Sequence, residues 1–169
     1  MSLRTKIPST ASVVQRLSGD KLTSPSAKKN LPHIKKLILK FAPNNGDALE
    51  IASGTGQHIV ELADALPGVT WQPTEIDQAR INSIKSWIGE KNIGNLLPPK
   101  MLDATDRNWA ANYSKKDLIL LINLIHLVSH CEAKQIIYGI NAALKSGGCS
   151  IIYGPFMRNG KLISTGDKE

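Results

Sequence analysis

Cysteine is scarce in this sequence, and long apolar runs are missing from it. The two cysteines, Cys131 and Cys149, stand in unrelated contexts among 169 residues, so neither a disulfide framework nor a zinc motif emerges. The longest apolar run covers residues 118–125 and is interrupted by Asn123, whereas a membrane-spanning helix needs roughly 20 apolar residues. These absences favour a reducing compartment. We therefore predict a cytoplasmic protein that binds neither a metal nor a membrane.

Acidic residues are nearly absent from the first 46 positions, where nine Lys/Arg face Asp20 alone. From Asp47 onward, twelve Lys/Arg face thirteen Asp/Glu, so the net charge of +7 belongs to the N-terminal part. We predict a flexible basic arm at residues 1–24 and a single domain at residues 25–169. Such an arm is either a solvated leader or a binding segment for nucleic acid or an acidic partner.

Helical and strand patterns alternate after the arm. A helix with one apolar face is predicted at about residues 26–40, with its first turns disturbed by Pro32. The run at 117–128 is continuously apolar, as in a strand covered on both faces. Further strands are predicted at 48–53, 69–76, 100–102 and 149–156, and further helices at 57–66, 78–92 and 132–148. This order predicts an α/β, Rossmann-like fold, with a mostly parallel sheet and helices on both faces.

The stretch "LEIASGTGQH", residues 49–58, joins the first of these strands to a helix through two glycines. In parallel sheets, ligands bind at the carboxyl ends of the strands, and glycine lets a ligand approach bare backbone. A phosphate-binding P-loop would carry a lysine where Gln57 stands. A dinucleotide-binding motif would carry a third glycine where Ile59 stands. Neither of these two motifs fits the loop.

The loop resembles the first motif of class I S-adenosylmethionine-dependent methyltransferases. Glu50 is the acid of that motif, and Ala52, Gly54 and Gly56 are its three small positions, with alanine in place of the commoner glycine. The resemblance implies that these four residues form part of a binding site for the cofactor S-adenosylmethionine. It also implies a methyltransferase activity.

Two later acids extend the predicted cofactor site. Glu75 follows Gly56 by nineteen residues, where Rossmann-like sites place an acid against the ribose hydroxyls, and Asp77 is its rival. "LDAT" resembles the methyltransferase motif whose acid lies beside the adenine amino group. Asp103 is the corresponding acid here, and the backbone amide of Ala104 would face an adenine ring nitrogen.

A narrower resemblance rests on "LEIASGTGQH", "LPGVTWQPTEID", "INLIH" and "YGPF" together. These segments are similar to the poorly characterised family of methyltransferase-like protein 26. The resemblance covers roughly residues 24–161. It implies the cofactor and leaves the methyl acceptor open, and we expect a small molecule or a protein side chain.

Asn123 and His126, in "NLIH", follow the predicted fourth strand and are the candidate catalytic residues. Asn123 would orient the acceptor, and His126 would take its proton near neutral pH. The alternative for His126 is a histidine packed under a loop. Two functions of another kind also stand open: a non-catalytic module that binds the cofactor or a partner, and nucleic-acid binding through the arm.

Class I methyltransferases usually continue past the fifth strand with a helix and an antiparallel hairpin. Here the polar segment "NGKLISTGDKE" closes the sequence at Glu169. We therefore expect the domain to lack the C-terminal hairpin and to be incomplete at this end. The fifth strand would then expose an apolar edge.

Overall fold

The computed structural model describes residues 14–157 and residue 159. The helices are α1 Pro25–Phe41, α2 Gln57–Ala65, α3 Gln78–Lys91 and α4 His130–Ala143. The strands are β1 Gln15–Ser18, β2 Lys21–Thr23, β3 Gly46–Ile51, β4 Val69–Glu75, β5 Lys100–Met101, β6 Lys116–Ile122 and β7 Leu144–Tyr153. Single 3-10 turns lie at Trp109–Asn112 and Ile125–Leu127.

Five of the strands form one parallel sheet in the order β5-β4-β3-β6-β7. The order runs outward in both directions from β3, the first strand of this sheet, so that β4 lies on one side of it and β6 on the other. Crevices for ligands form at such a reversal point, beyond the carboxyl ends of the strands. The predicted α/β, Rossmann-like architecture is confirmed.

Alternate side chains of the central strands enter two different cores. Leu118 and Leu120 of β6 pack with the apolar faces of α1, α2 and α3, whereas Ile119 and Leu121 pack with α4. All four are fully buried. This explains why β6 is apolar at every position from Leu118 to Ile122, because both faces of the sheet are covered by helices.

Pro32 lies inside α1 without ending it, contrary to the expected disturbance of the first turns. Proline removes one backbone hydrogen bond of a helix and crowds the preceding turn. The helix nevertheless runs on, since Ile34 and Ile38 after the proline are buried in the core. Tertiary packing therefore outweighs the local cost of the proline.

Strands β1 and β2 form an antiparallel hairpin that the sequence analysis did not predict. The hairpin docks on α3: the indole Nε1 of Trp87 donates to the carbonyl of Leu22 at 2.9 Å, and the Leu22 amide donates to Ser83 Oγ at 2.9 Å. Lys21 lies over the Trp87 ring and forms an ion pair with Glu90. The described end of the expected arm is thus a folded element. Residues 1–13 of the arm lie outside the described residues.

The helix predicted through the glycine pair at 147–148 ends earlier than expected. Helix α4 begins at a capping box of Ser129 and Glu132 and stops at Ala143, and β7 starts at Leu144. The pairing of β7 with β6 skips four residues between Leu144 and Cys149. The glycines therefore belong to a bulge at the start of β7, where Gly147 takes φ +76°, and not to a helix end.

Strand β7 is at one edge of the sheet in the described part of the chain. The expectation of a missing C-terminal hairpin concerns the chain from residue 160 onward, which lies outside the described residues. None of the helices that the structure describes combines the length and the apolarity of a membrane span.

Candidate functional site

A cleft opens at the carboxyl ends of β3, β4 and β6. Its volume is about 1050 Å³, counting space open to solvent. Most of the residues predicted for a cofactor site line it: Glu50, Ala52, Gly54, Glu75, Asp103, Ala104 and Asn123. Gly56, Asp77 and His126 are not among its lining residues.

The loop after β3 takes left-handed backbone conformations at its three small residues. The φ angles are +55° at Ala52, +60° at Gly54 and +93° at Gly56. A non-glycine residue rarely adopts such angles, and Ala52 does so at the position where the motif usually has glycine. This conformation turns the chain sharply from β3 into α2 and exposes backbone to the cleft.

The two glycines of the loop have different surroundings. A Cβ on Gly56 would lie 3.0 Å from the backbone Cα of Ile84, so α3 packs directly against this glycine. A Cβ on Gly54 would meet only the guanidinium of Arg80, at 3.9 Å. Gly54 therefore faces the cleft, whereas Gly56 permits close packing of α2 against α3.

Glu75, the last residue of β4, is held by backbone amides. Its Oε2 accepts from the amide of Gly54 at 2.9 Å, and its Oε1 accepts from the amides of Ile76 and Asp77 at 2.7 and 3.3 Å. Burial raises the pKa of Glu75, and the nearby Arg80 charge and the three amides oppose that rise. The carboxylate thus fixes the glycine loop while lining the cleft.

Asp77, the rival ribose acid, has another position. Its side chain caps α3 by accepting from the amide of Arg80 at 2.9 Å, and it does not line the cleft. The geometry therefore favours Glu75 over Asp77 as the acid that a ligand would meet.

Glu50 lies deeper in the cleft, with 1% of its surface exposed. Its Oε2 is buried without a hydrogen-bond partner. Desolvation raises its pKa to about 7, although a hydrogen bond from Ser53 lowers it and the charge of Glu75 adds to the rise. A buried carboxyl oxygen that lacks a partner and lines a cleft suits a ligand group that donates hydrogen bonds.

Asp103 and Ala104 follow β5 on the other side of the cleft. Asp103 Oδ1 accepts from the amide and the hydroxyl of Thr105, at 2.9 and 2.6 Å, which fixes the turn. Ala104 is buried to 7% exposure and lines the cleft. The roles predicted for both residues at the adenine ring stay predictions.

Asn123 directly follows β6 and takes φ +53°, a conformation that asparagine tolerates better than most residues. Its amide donates to the Tyr153 carbonyl at 2.8 Å, which ties it to β7. His126 lies in the 3-10 turn beyond it and is exposed. Partial burial lowers the pKa of its imidazole. Asn123 therefore lines the cleft. His126 does not line it, although the next residue, Leu127, does.

Sequence reasoning missed several polar residues of the cleft. Buried His58 contacts Asn30 of α1 with 2.7 Å between Nε2 and Oδ1, and desolvation lowers its pKa to about 4, so the ring is neutral at physiological pH. The Ser24 amide donates to Gln57 Oε1 at 2.6 Å. The dipeptide Gln57–His58 thus docks the start of α1 onto the glycine loop. Arg80 of α3 also lines the cleft.

In the described ranges, no three His, Cys, Asp or Glu side chains are grouped as ligands for a metal ion. The polar groups of the cleft are instead carboxylates, backbone amides and one guanidinium. This set suits an organic ligand that carries hydroxyl and amino groups.

The architecture is a Rossmann-like fold, which is shared by the solved structure of an O-methyltransferase family protein. A family model described as "Protein of unknown function (DUF938)" matches residues 21–169. The chain therefore belongs to that family.

Three solved structures illustrate the similarity. The PH0226 protein from Pyrococcus horikoshii OT3 is 18% identical with a TM-score of 0.67, over 78% of this chain and 59% of that one. An O-methyltransferase family protein from Burkholderia thailandensis is 16% identical with a TM-score of 0.66, over 83% and 41%. PKMT2 from Rickettsia typhi, solved in complex with AdoHcy, is 24% identical with a TM-score of 0.57, over 71% and 23%. The chain thus spans from 23% to 59% of the length of these proteins, and the similarity at these identities concerns the fold.

Proposed function

We propose that this chain binds S-adenosylmethionine in the cleft and transfers its methyl group to a small-molecule or protein acceptor. One observation carries the proposal. Residues predicted separately from three distant segments, Glu50 with Gly54, Glu75, and Asp103 with Ala104, line the same cleft. Their order along the sheet follows the order of the groups in the cofactor, from amino acid through ribose to adenine.

The unpartnered groups of the cleft fit this ligand. Glu50 Oε2 is a buried acceptor without a donor, and the amino group of the cofactor is a cationic donor. Glu75 also lines the cleft, and three of the roughly four lone-pair sites of its carboxylate accept backbone amides. The remaining site can accept from a ribose hydroxyl. The bare backbone at Gly54 leaves room for close approach.

The sulfonium of S-adenosylmethionine supplies an already activated methyl group, so the protein has mainly to align the reactants and exclude water. Leu124, Leu127 and Val128 line the cleft beside Asn123 and would exclude water. Asn123 would orient the acceptor. His126 precedes Leu127 in the chain and would take a proton from an acceptor that must lose one.

The narrower resemblance, to methyltransferase-like protein 26, supports the same proposal. It rests on "TWQPTEID" and "YGPF" together with the glycine loop. The AdoHcy bound in PKMT2 from Rickettsia typhi supports the cofactor class. We also propose that the acceptor is a small molecule or a protein side chain and that the protein is cytoplasmic.

The test compares Glu75→Gln with Asp77→Asn by calorimetric titration of S-adenosylhomocysteine. Both changes remove one negative charge, and the asparagine side chain of the second variant would still cap α3. Glu75→Gln should weaken binding by about 1 to 3 kcal/mol, because the ribose loses a charged acceptor. Asp77→Asn should leave binding nearly unchanged. Equal losses in the two variants, or none in Glu75→Gln, would contradict the proposed site.

A further inference from the structure

The side chain of Arg80 occupies an unusual position beside the proposed ribose acid. Arg80 is in the first turn of α3, where its amide bonds to the Asp77 cap. Helical side chains lean toward the N-terminus of their helix, and this direction brings the guanidinium back to the glycine loop. Its Nη1 is 3.9 Å from the place that a Cβ on Gly54 would take, and the residue lines the cleft.

One donor of this guanidinium is left without an acceptor in the part of the protein that the structure describes. Nε is buried and has no hydrogen-bond partner. Glu75 is near enough to attract the charge, yet its oxygens already accept three backbone amides. The described residues give Arg80 no carboxylate within ion-pair distance. A buried donor without an acceptor is costly, so a structural ion pair does not account for Arg80.

A ribose offers what Arg80 lacks. Each of its hydroxyls carries one donor and two acceptor lone pairs. A carboxylate satisfies only the donors, because it can only accept. A guanidinium satisfies only the lone pairs, and its planar fork can serve two oxygens at once. Glu75 and Arg80 are therefore complementary partners for one diol.

We propose that Arg80 is a specificity-determining residue that donates hydrogen bonds to the ribose hydroxyls of the bound cofactor. This inference rests on the proposed function, since it assigns a residue to the adenosine half of the same ligand. It predicts that the site distinguishes ribose from deoxyribose through Arg80. A ligand without one hydroxyl would leave both Arg80 and Glu75 with unused bonding capacity.

The experiment measures calorimetric affinities for 5′-methylthioadenosine, for its 2′-deoxy and 3′-deoxy forms, and for S-adenosylhomocysteine. The proteins are the wild type, Arg80→Met, and Lys85→Met as the matched control. Lys85 is an exposed cation on the same helix, so its change removes the same charge away from the cleft. Melting curves establish that each variant is folded.

We expect Arg80→Met to bind 5′-methylthioadenosine and S-adenosylhomocysteine about 10- to 100-fold more weakly, as for a lost charged hydrogen bond. The wild type should prefer the ribose ligand over at least one deoxy form. That preference should shrink about tenfold in Arg80→Met and persist in Lys85→Met. Should Arg80→Met fail to fold, Arg80→Lys keeps the charge without the fork and should show the same pattern with a smaller loss.

Other outcomes would overturn the inference in distinguishable ways. A loss for S-adenosylhomocysteine but not for 5′-methylthioadenosine would place Arg80 at the amino-acid half of the ligand. An unchanged ribose preference in Arg80→Met would give Arg80 no part in ribose recognition. If the wild type bound none of the four ligands, the proposed function itself would fail, and the inference with it.

Discussion

Replacing Glu50 by glutamine tests the electrostatics at the base of the cleft. The carboxyl group is 1% exposed, and burial raises its pKa to about 7 from an ordinary 4.5. A folded-state pKa above the unfolded one means that the folded protein favours the protonated form. The contribution of Glu50 to the free energy of unfolding is fully present below about pH 4.5. It declines as the pH rises to about 7 and is lost above that pH, where the buried carboxylate is ionised.

The magnitude follows from the difference of about 2.5 between the two pKa values. At about 1.4 kcal/mol per pKa unit, this difference amounts to about 3 to 4 kcal/mol of unfolding free energy. Glutamine does not titrate, so Glu50→Gln removes this part of the pH dependence. Between pH 4.5 and pH 8, the wild type should lose about 3 kcal/mol more than the variant. Burying the glutamine amide adds the same cost at every pH. It therefore does not affect the comparison of how the unfolding free energy of the two proteins changes with pH.

Urea unfolding at a series of pH values, without ligand, measures this difference. Asp64→Asn is the control, because Asp64 is an exposed acid on α2, and its curve should run parallel to that of the wild type. Parallel curves for Glu50→Gln and the wild type would refute the reasoning, since they would mean that Glu50 ionises in the folded protein as easily as in water. Glu50→Gln should also bind S-adenosylhomocysteine more weakly, because the amino group loses a charged acceptor.

Two further predictions concern the loop and the chemistry. Gly56→Ala should destabilise the protein by about 2 to 4 kcal/mol, since its φ is +93° and the new Cβ would press on Ile84 backbone at 3.0 Å; Gly54→Ala, which meets only Arg80 at 3.9 Å, should cost about 1 kcal/mol. Equal losses in urea unfolding would contradict this packing difference. Once an acceptor is known, His126→Ala should lower turnover by about 10²- to 10⁴-fold with cofactor affinity unchanged. The wild-type rate should rise as the imidazole loses its proton, at a pH below the ordinary 6.5 because partial burial lowers the pKa of His126. Full turnover in the variant would leave His126 without a catalytic role.

The parallel sheet was predictable because its determinants are local. The apolar run of β6 from Leu118 to Ile122 and the strand–helix alternation each follow from the pattern of a short segment. The position of Glu75 was predictable for a related reason, since the strand order and a fixed spacing place the end of β4 beside the glycine loop. The choice between Glu75 and Asp77 needed coordinates, because Glu75 ends β4 and Asp77 follows two residues later.

The elements that could not be predicted depend on contacts between distant residues. The β1–β2 hairpin is short and polar, and its docking on α3 joins Leu22 to Trp87 across 65 residues. The His58–Asn30 pair spans 28 residues. Arg80 lies in the cleft beside Gly54, which belongs to a different loop of the chain. None of these contacts leaves a periodic signal in the sequence.

The most direct test of the central claim is a calorimetric titration of the wild-type protein with S-adenosylhomocysteine and, separately, with NAD. The cleft combines a buried acceptor at Glu50, an acid at Glu75 that we propose for the ribose, and a glycine loop without a dinucleotide motif. We therefore predict micromolar affinity for S-adenosylhomocysteine, roughly −8 kcal/mol, and no comparable binding of NAD. Tight binding of NAD with no response to S-adenosylhomocysteine would contradict the account.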